Sequence, residues 1–206
     1  MSKKLLALSL LTIIANNCYG FDYDKIYYQI HGGWAKLNKA SHNHNILYTN
    51  MNAAMVGAAW GYDVSSVLRT QIDAEYRFNQ KLSAESVDEA HALDYRVYTG
   101  TLAWTNCIDM ANFYNVIPYI GFGIGVARIS GKAKFIRGDF TTDGSANRIK
   151  PSINFHWKML AGFAYKVRDD LYFSIDYGYK SFGKLKKTPR ANLTGIEVAF
   201  AIRTRF

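Results

Sequence analysis

The feature that most limits the folds open to this 206-residue chain is an alternation of apolar and other side chains over strand-length segments. In residues 117–129 the large apolar side chains all fall on one face, at Pro118, Ile120, Phe122, Ile124 and Val126. Glycine takes three successive positions of the opposite face. A period of two is typical of a β-strand whose faces meet different surroundings.

Eight such segments follow one another along the chain. They are residues 25–36, 51–62, 67–78, 92–105, 117–129, 155–166, 171–180 and 195–206, and the register of 92–105 is ambiguous around Tyr98 and Trp104. An even number of antiparallel strands fits a closed barrel. We therefore predict an all-β chain, folded as an eight-stranded antiparallel up-and-down transmembrane β-barrel.

The composition of the two faces indicates that the apolar face is turned outward to lipid. The other face is rich in Gly and Ala, which suit a crowded, narrow lumen better than a solvated surface. Aromatic residues cluster near the strand ends, as the interfacial girdles of a membrane barrel do. The predicted girdles are Trp60, Tyr62, Phe163, Tyr165 and Phe206 at one rim, and Trp34, Tyr76, Phe78, Phe155 and Tyr179 at the other.

The connections between the predicted strands alternate in length. The short ones are 63–66, 106–114 and 167–170, and the long ones lie near 37–50, 79–91, 130–151 and 181–191. Short periplasmic turns and long outer loops give this rhythm in the bacterial outer membrane. We therefore expect an outer-membrane barrel with both termini in the periplasm and the last strand paired with the first.

Residues 1–20 are predicted to be a removable signal peptide. Lys3 and Lys4 precede an 11-residue apolar core, Leu5 to Ala15, and Gly20 suits the cleavage position. After residue 20 there is no run of about 18 apolar residues, which excludes a bundle of membrane-spanning helices. We assign residues 21–206 to one barrel domain, whose formal charge falls from +9 to +7 without the two lysines.

Only one cysteine remains once Cys18 leaves with the signal peptide. Cys107 then has no partner for an internal disulfide. No second Cys or nearby His accompanies it, so we interpret it as a small residue in a turn rather than a metal ligand.

Several segments resemble a known family. Residues 118–127, Pro-Tyr-Ile-Gly-Phe-Gly-Ile-Gly-Val-Ala, resemble the fifth-strand signature of opacity-type, OmpA-like outer-membrane β-barrels. Residues 161–165, 170–172 and 176–179 resemble that family's next hairpin, and Phe206 resembles the C-terminal aromatic assembly signal. The resemblance implies outer-membrane insertion by the assembly machinery. It leaves the function open, because the family contains adhesins, surface antigens and proteins of other roles.

The inner face is predicted to carry charges of both signs. Its polar members are Gln29, His31, Arg69, Gln71, Asp73, Glu75, Arg77, Arg96, His156, Lys158, Asp176, Glu197 and Arg203. Because an eight-stranded barrel has an interior just wide enough for side chains, we expect these charges to pair and plug the lumen. The alternative is a gated ion path, as in a small porin.

The sequence offers little support for catalysis or for metal binding. Asp73, Glu75 and Glu197 with a histidine could form an acid–base set in a lipid-modifying barrel enzyme, but no Ser lies beside a His at an outer strand end. His42 and His44 lie in a loop without Cys or acid. We therefore predict a protein that is not an enzyme, with no catalytic residue, no cofactor and no metal.

The outer loops carry the candidate binding residues. Residues 130–150 contain five basic and two acidic side chains, and 180–191 contain five basic and no acidic ones, whereas 79–91 contain one basic and three acidic ones. The predicted ligand-binding residues are Lys132, Lys134, Arg137, Lys184, Lys186, Lys187 and Arg190.

We predict a surface antigen or adhesin-like barrel with these basic loops. The expected partners are outer-membrane lipids and lipopolysaccharide, the assembly machinery, and host-surface anionic glycans or proteins. Nucleic acid is not expected for an exported protein.

Overall fold

The computed structural model describes residues 22–37, 46–48, 51–86, 92–135, 147–184 and 192–205. A 3-10 turn, Tyr23–Lys25, precedes nine strands: β1 Ile26–Leu37, β2 Ile46–Tyr48, β3 Met51–Asp63, β4 Leu68–Ser86, β5 Ala92–Asp109, β6 Val116–Phe135, β7 Asn147–Lys166, β8 Leu171–Lys184 and β9 Asn192–Arg205. No helix in the described ranges is long and apolar enough to cross a membrane.

The nine strands form a closed barrel of eight strand positions, because β2 and β3 together occupy one of them. Strand β2 continues β3, because both pair with β4 in one register, Tyr48 with Ala84 and Ala54 with Phe78. From β3 to β9 each strand pairs antiparallel with the next, and β1 pairs with both β3 and β9. The predicted fold class, an eight-stranded antiparallel up-and-down β-barrel, is confirmed, and so is the pairing of the first strand with the last.

The pairing register fixes the width of the interior. A path that starts at Leu37 and steps from each residue to its paired residue on the next strand, first to β9 and then around the whole barrel, returns to β1 at Tyr27. The stagger of the barrel is therefore ten residues. An eight-stranded barrel of such stagger encloses a space that side chains can fill. The fold therefore brings inward-facing residues of distant strands into contact.

The apolar residues face outward, as predicted. Ile30, Trp34, Ile153 and Phe155 are 66–70% exposed. Since so much exposed apolar surface in one belt needs an apolar surrounding, the belt fits contact with lipid. Trp60, Phe163 and Tyr165 lie close to strand ends as expected. Tyr76, Phe78 and Phe155 are exposed too but lie within their strands, because β4 and β7 are longer than predicted.

The two ends of the barrel differ. At the turn end, strands are joined by residues 64–67, 110–115 and 167–170. At the opposite end, called the outer end here, the predicted loops are partly strand: β4 runs to Ser86, β6 to Phe135 and β8 to Lys184, while β7 begins at Asn147. The expected bounds are too short there because residues 79–86, 132–135 and 147–150 include many polar residues, which interrupt the apolar alternation in the sequence.

Two placements inferred from the sequence are wrong. Arg96 is exposed and faces outward, because Val97 and Thr99 take the inward positions of β5. Cys107 does not lie in a turn: β5 continues to Asp109, and Cys107 is buried on its inner face. Both residues belong to β5. Its inner face carries several threonines, so the sequence does not show which of its two faces is the apolar one.

Candidate functional site

Side chains fill the barrel interior in three layers along its axis. Aromatic and arginine side chains occupy the turn end, ion pairs occupy the middle, and apolar side chains occupy the outer end. The outer set, called the apolar layer, is buried and consists of Leu37, Val97, Ile129, Phe182 and Leu193. The described part of the lumen is therefore packed rather than open.

Glu75 is the centre of the middle layer. Its carboxylate accepts hydrogen bonds from Lys180 Nζ at 2.7 Å, from Lys158 Nζ at 3.2 Å and from Arg77. Thr101 Oγ1 donates to the same carboxylate at 3.3 Å. Glu75, Arg77 and Lys158 are each at least 94% buried, so this carboxylate is balanced by protein cations rather than by water.

Two further carboxylates complete the balance. Asp73 Oδ2 lies 3.0 Å from Lys158 Nζ. Glu197 pairs with Arg77, and its Oε2 lies 2.6 Å from Lys180 Nζ. The charge cluster, defined as Asp73, Glu75, Arg77, Lys158, Lys180 and Glu197, thus holds three acids and three bases. Charges of both signs in the lumen do pair, as the sequence predicts.

The sequence places Lys180 both on the inner face of the predicted strand 171–180 and at the start of the basic segment 180–191, and it places Phe182 in a loop. Strand β8 continues through both residues, and the Lys180 amine joins the charge cluster. Register is shifted between Ser181 and Gly183, and Gly183 has φ +79. Phe182 is the next inward residue of β8 after Lys180, and it stacks on His156 with ring centroids 5.3 Å apart. Its ring also covers Arg77, with the guanidinium carbon 4.6 Å from the centroid.

The turn end of the lumen is built from arginines and tyrosines. Arg69 Nε donates to Asp109 Oδ1 at 2.8 Å, and its guanidinium lies over the ring of Tyr119 at 4.3 Å. Arg203 lies over Tyr172 at 4.5 Å. These stacked pairs bury charge while keeping aromatic contact, so they close the lumen on this side.

A small polar cavity lies between the layers. It measures about 30 Å³ and is bordered by His31, Asp73, Glu75, Asp176 and other inward residues. That is room for about one to two water molecules. The polar residues predicted to face the lumen, other than Arg96, either border this cavity or pack above and below it.

A cross-strand row of four basic residues lies beyond the apolar belt at the outer end. Arg96 of β5 pairs with Lys81 of β4 and with Lys132 of β6, and Lys132 pairs with Arg148 of β7. Directly paired residues share one face of a sheet with Cβ atoms about 4.5–5.5 Å apart. This basic row, Lys81, Arg96, Lys132 and Arg148, therefore runs across four adjacent strands at one level, and Arg96 within it is exposed.

The predicted binding residues divide into two groups. Lys132 and Lys134 lie on β6 rather than in a loop, and Lys184 is the last residue of β8. Arg137, Lys186, Lys187, Arg190 and the assembly residue Phe206 lie outside the described residues, as do His42 and His44. Within the described ranges no group of three or more His, Cys, Asp or Glu side chains is arranged to hold a metal.

Solved structures with the same architecture are outer-membrane proteins. Neisserial surface protein A matches with a TM-score of 0.63 and 20% identity, over 88% of this chain and 97% of that one. The chain has the outer-membrane β-barrel fold. Ail of Yersinia pestis, solved in complex with the heparin analogue sucrose octasulfate, matches this outer-membrane barrel with a TM-score of 0.52 and 15% identity, over 87% and 99% of the two chains.

The same fold also carries catalysis in other proteins. The outer membrane protease OmpT of Escherichia coli matches the barrel with a TM-score of 0.51 and 9% identity, over 91% of this chain and 98% of that one. No protein-family model and no curated protein sequence matches the chain. The resemblance to opacity-type, OmpA-like barrels therefore holds at the level of the fold, and function has to be argued from this chain's own residues.

Proposed function

We propose that this protein is a surface barrel of the bacterial outer membrane that binds anionic glycans at its basic outer end and does not conduct ions. The observation that carries the proposal is the basic row. Like charges directly opposite one another destabilise a sheet, so four in one row cost stability unless an anion lies against them. Such a row suits a polymer with closely spaced negative groups.

Two further observations support a polyanion as the ligand. Lys134 of β6, which pairs with Asp94 of β5, and Lys184 of β8 lie at the same end of the barrel, and the sequence that follows Lys184 is basic at positions 186, 187 and 190. Ail shares the fold and has been solved with a heparin analogue. A positive field at this end would reach about 8 Å at physiological salt and would steer sulfated chains toward it.

Heparin binding to the purified, refolded barrel tests this proposal. We expect the row variant, with Lys81, Arg96, Lys132 and Arg148 changed to Gln, to bind heparin about tenfold or more weakly at low salt. A loop variant, with Lys184, Lys186, Lys187 and Arg190 changed to Gln, should lose affinity as well. Binding by the unaltered protein should weaken steadily as salt concentration rises.

The matched control removes charge from the opposite end. Changing Lys25, Lys166 and Arg168 to Gln lowers the net charge without touching the outer end, and should leave heparin affinity unchanged. If both outer variants bind heparin as tightly as the unaltered protein does, the proposal is wrong. If the control loses as much affinity as they do, binding reflects net charge alone and the basic row has no special role.

The packed lumen supports the second part of the proposal, that the barrel does not conduct. The charge cluster fills the middle and the apolar layer lies across its outer side. In planar bilayers we expect no steady conductance from the unaltered protein. Large, steady openings would contradict this and favour the alternative of a small porin. Catalysis is not part of the proposal, because Asp73, Glu75 and Glu197 are each held by lumenal cations.

A further inference from the structure

The lipid-facing surface contains a groove with a single arginine at one edge. Outward-facing residues of five strands pair in one row, Val56, Tyr76, Gly100, Arg128 and Ile153. These residues, together with Ala74, Leu102 and Val126, line a groove of about 490 Å³. Glu75 also borders it, but its carboxylate points into the lumen and is held there. Thr101 borders it too, with its hydroxyl bonded to Glu75 in the lumen. The polar side chains that this lipid groove presents outward are therefore Arg128 and Tyr76, and the others are apolar.

Gly100 and Ala74 make the groove because their neighbours are large. A Cβ added at Gly100 would meet nothing closer than the Tyr76 ring, at 3.8 Å. The space above Gly100 is therefore open, and Tyr76 forms one of its walls. A depression of this shape on a lipid-facing surface suits an acyl chain, since both are apolar and the chain can adapt to the groove.

Arg128 gives the groove a charged end. It is exposed on the outward face of β6, and none of the ion pairs between side chains that the structure describes includes it. Val126 precedes Arg128 and Ser130 follows it on the outward face of β6, so Arg128 lies where the apolar belt gives way to polar residues. An arginine at this level lies among lipid headgroups, and its planar guanidinium binds phosphate with two parallel hydrogen bonds.

We propose that the lipid groove binds a phosphorylated lipid of the outer leaflet, with an acyl chain over Gly100 and Ala74 and a phosphate on Arg128. The charge complementarity selects a phosphorylated lipid over a neutral one, and the apolar floor selects a lipid over a free anion. The inference rests on the proposed position in a membrane, and it is independent of glycan binding, which uses the basic row and the loops.

The test measures lipid affinity of the full chain, refolded in a neutral detergent without phosphate. Lipid A, which carries phosphates on an acylated sugar, is titrated while the thermal unfolding midpoint is recorded, because a ligand that binds the folded state raises that midpoint. We expect a saturable rise for the unaltered protein. Arg128→Gln should weaken the apparent affinity about tenfold or more, and Gly100→Leu should do the same by filling the groove.

Two matched variants separate this site from general membrane charge and from general surface changes. Lys36→Gln removes an exposed outward cation of β1 near the outer end, and should bind lipid A like the unaltered protein. Gly32→Leu adds a side chain at another outward glycine, where a Cβ meets nothing closer than 3.6 Å, and should also have no effect on affinity. If Gly100→Leu does not refold, Gly100→Ala with lipids of increasing chain bulk replaces it.

Two further ligands identify which part of lipid A the protein recognises. Dephosphorylated lipid A and inorganic phosphate should each raise the midpoint less than lipid A does. Equal shifts for all variants, or an inorganic phosphate shift as large as that of lipid A, would overturn the proposal. A loss of lipid binding in the row variant with none in Arg128→Gln would also overturn it, by assigning the lipid to the basic row. Heparin binding that persists in Arg128→Gln keeps the two proposals distinguishable.

Discussion

Replacing Glu75 with Gln is expected to lower the free energy of unfolding by about 3–5 kcal/mol, the typical cost of removing one partner from a buried ion pair. The carboxylate holds Lys158, Lys180 and Arg77, and Glu197 and Asp73 alone would have to balance all three cations. The uncompensated charge remains buried under the apolar layer. Few other single changes in the described lumen leave as much charge unpaired.

Urea unfolding of the refolded protein in detergent micelles, followed by tryptophan fluorescence, measures this change. Asp169→Asn is the control, because Asp169 is exposed and pairs with Lys166 at 2.6 Å. That hydrogen bond lowers the pKa of the Asp169 carboxyl, yet an exposed pair in a turn should give no measurable change in stability. The double variant Glu75→Gln, Lys180→Met should recover part of the loss. A Glu75 variant as stable as the control would show that the charge cluster does not hold the barrel together.

Gly125→Ala is expected to prevent the barrel from closing, although it adds one methyl group. A Cβ at this inward position of β6 would lie 2.6 Å from the Cα of Ala103 on the adjacent strand β5. That atom belongs to the backbone, so the two strands would have to move apart and lose their hydrogen bonds. Backbone overpacking of this kind cannot be relieved by a side-chain rotation.

The shift between folded and heat-unfolded mobility on a gel measures this effect. We expect the unaltered protein and Gly100→Ala to show a folded band, and Gly125→Ala to show little or none. Gly100 is the matched control because it lies in the neighbouring strand, on the outward face, with open space above it. A normal folded band for Gly125→Ala would mean that the β5–β6 spacing adapts to a methyl group.

The sequence predicts the eight strand positions of the barrel, the direction of the faces of most strands and the closing pair, because lipid on one side and a crowded lumen on the other impose a period of two. The prediction of strand length fails beyond the apolar belt, where the outward face no longer contacts lipid. In β6 the outward positions change from Val126 to Arg128 and Ser130, so the apolar pattern stops although the backbone pairing continues to Phe135. Strand length beyond the belt depends on hydrogen bonding to neighbours, which one strand's residues do not reveal.

The candidate site was only partly predictable for the same reason. The lumenal acids could be found from alternation, but Lys180 could not be paired with Glu75 without the register that brings β8 and β4 to the same level. The basic row likewise needs the pairing of Lys81, Arg96 and Lys132 across strands far apart in sequence. Alternation in β8 does place Lys180 on the inner face, so the signal was present but was outweighed by its position beside a basic loop.

The pairing of β1 with β9 has a consequence for how the chain folds. Seven of the eight seams join strands that follow each other along the chain, whereas this one joins residues 26–37 with residues 192–205. Hairpins form quickly from local contacts, and a contact between chain ends is entropically slow. We expect the closing seam to form last, after the final strand has been synthesised. Until then β1 and β9 both present unpaired edges, and a chain cut short before β9 has no way to satisfy them in a bilayer.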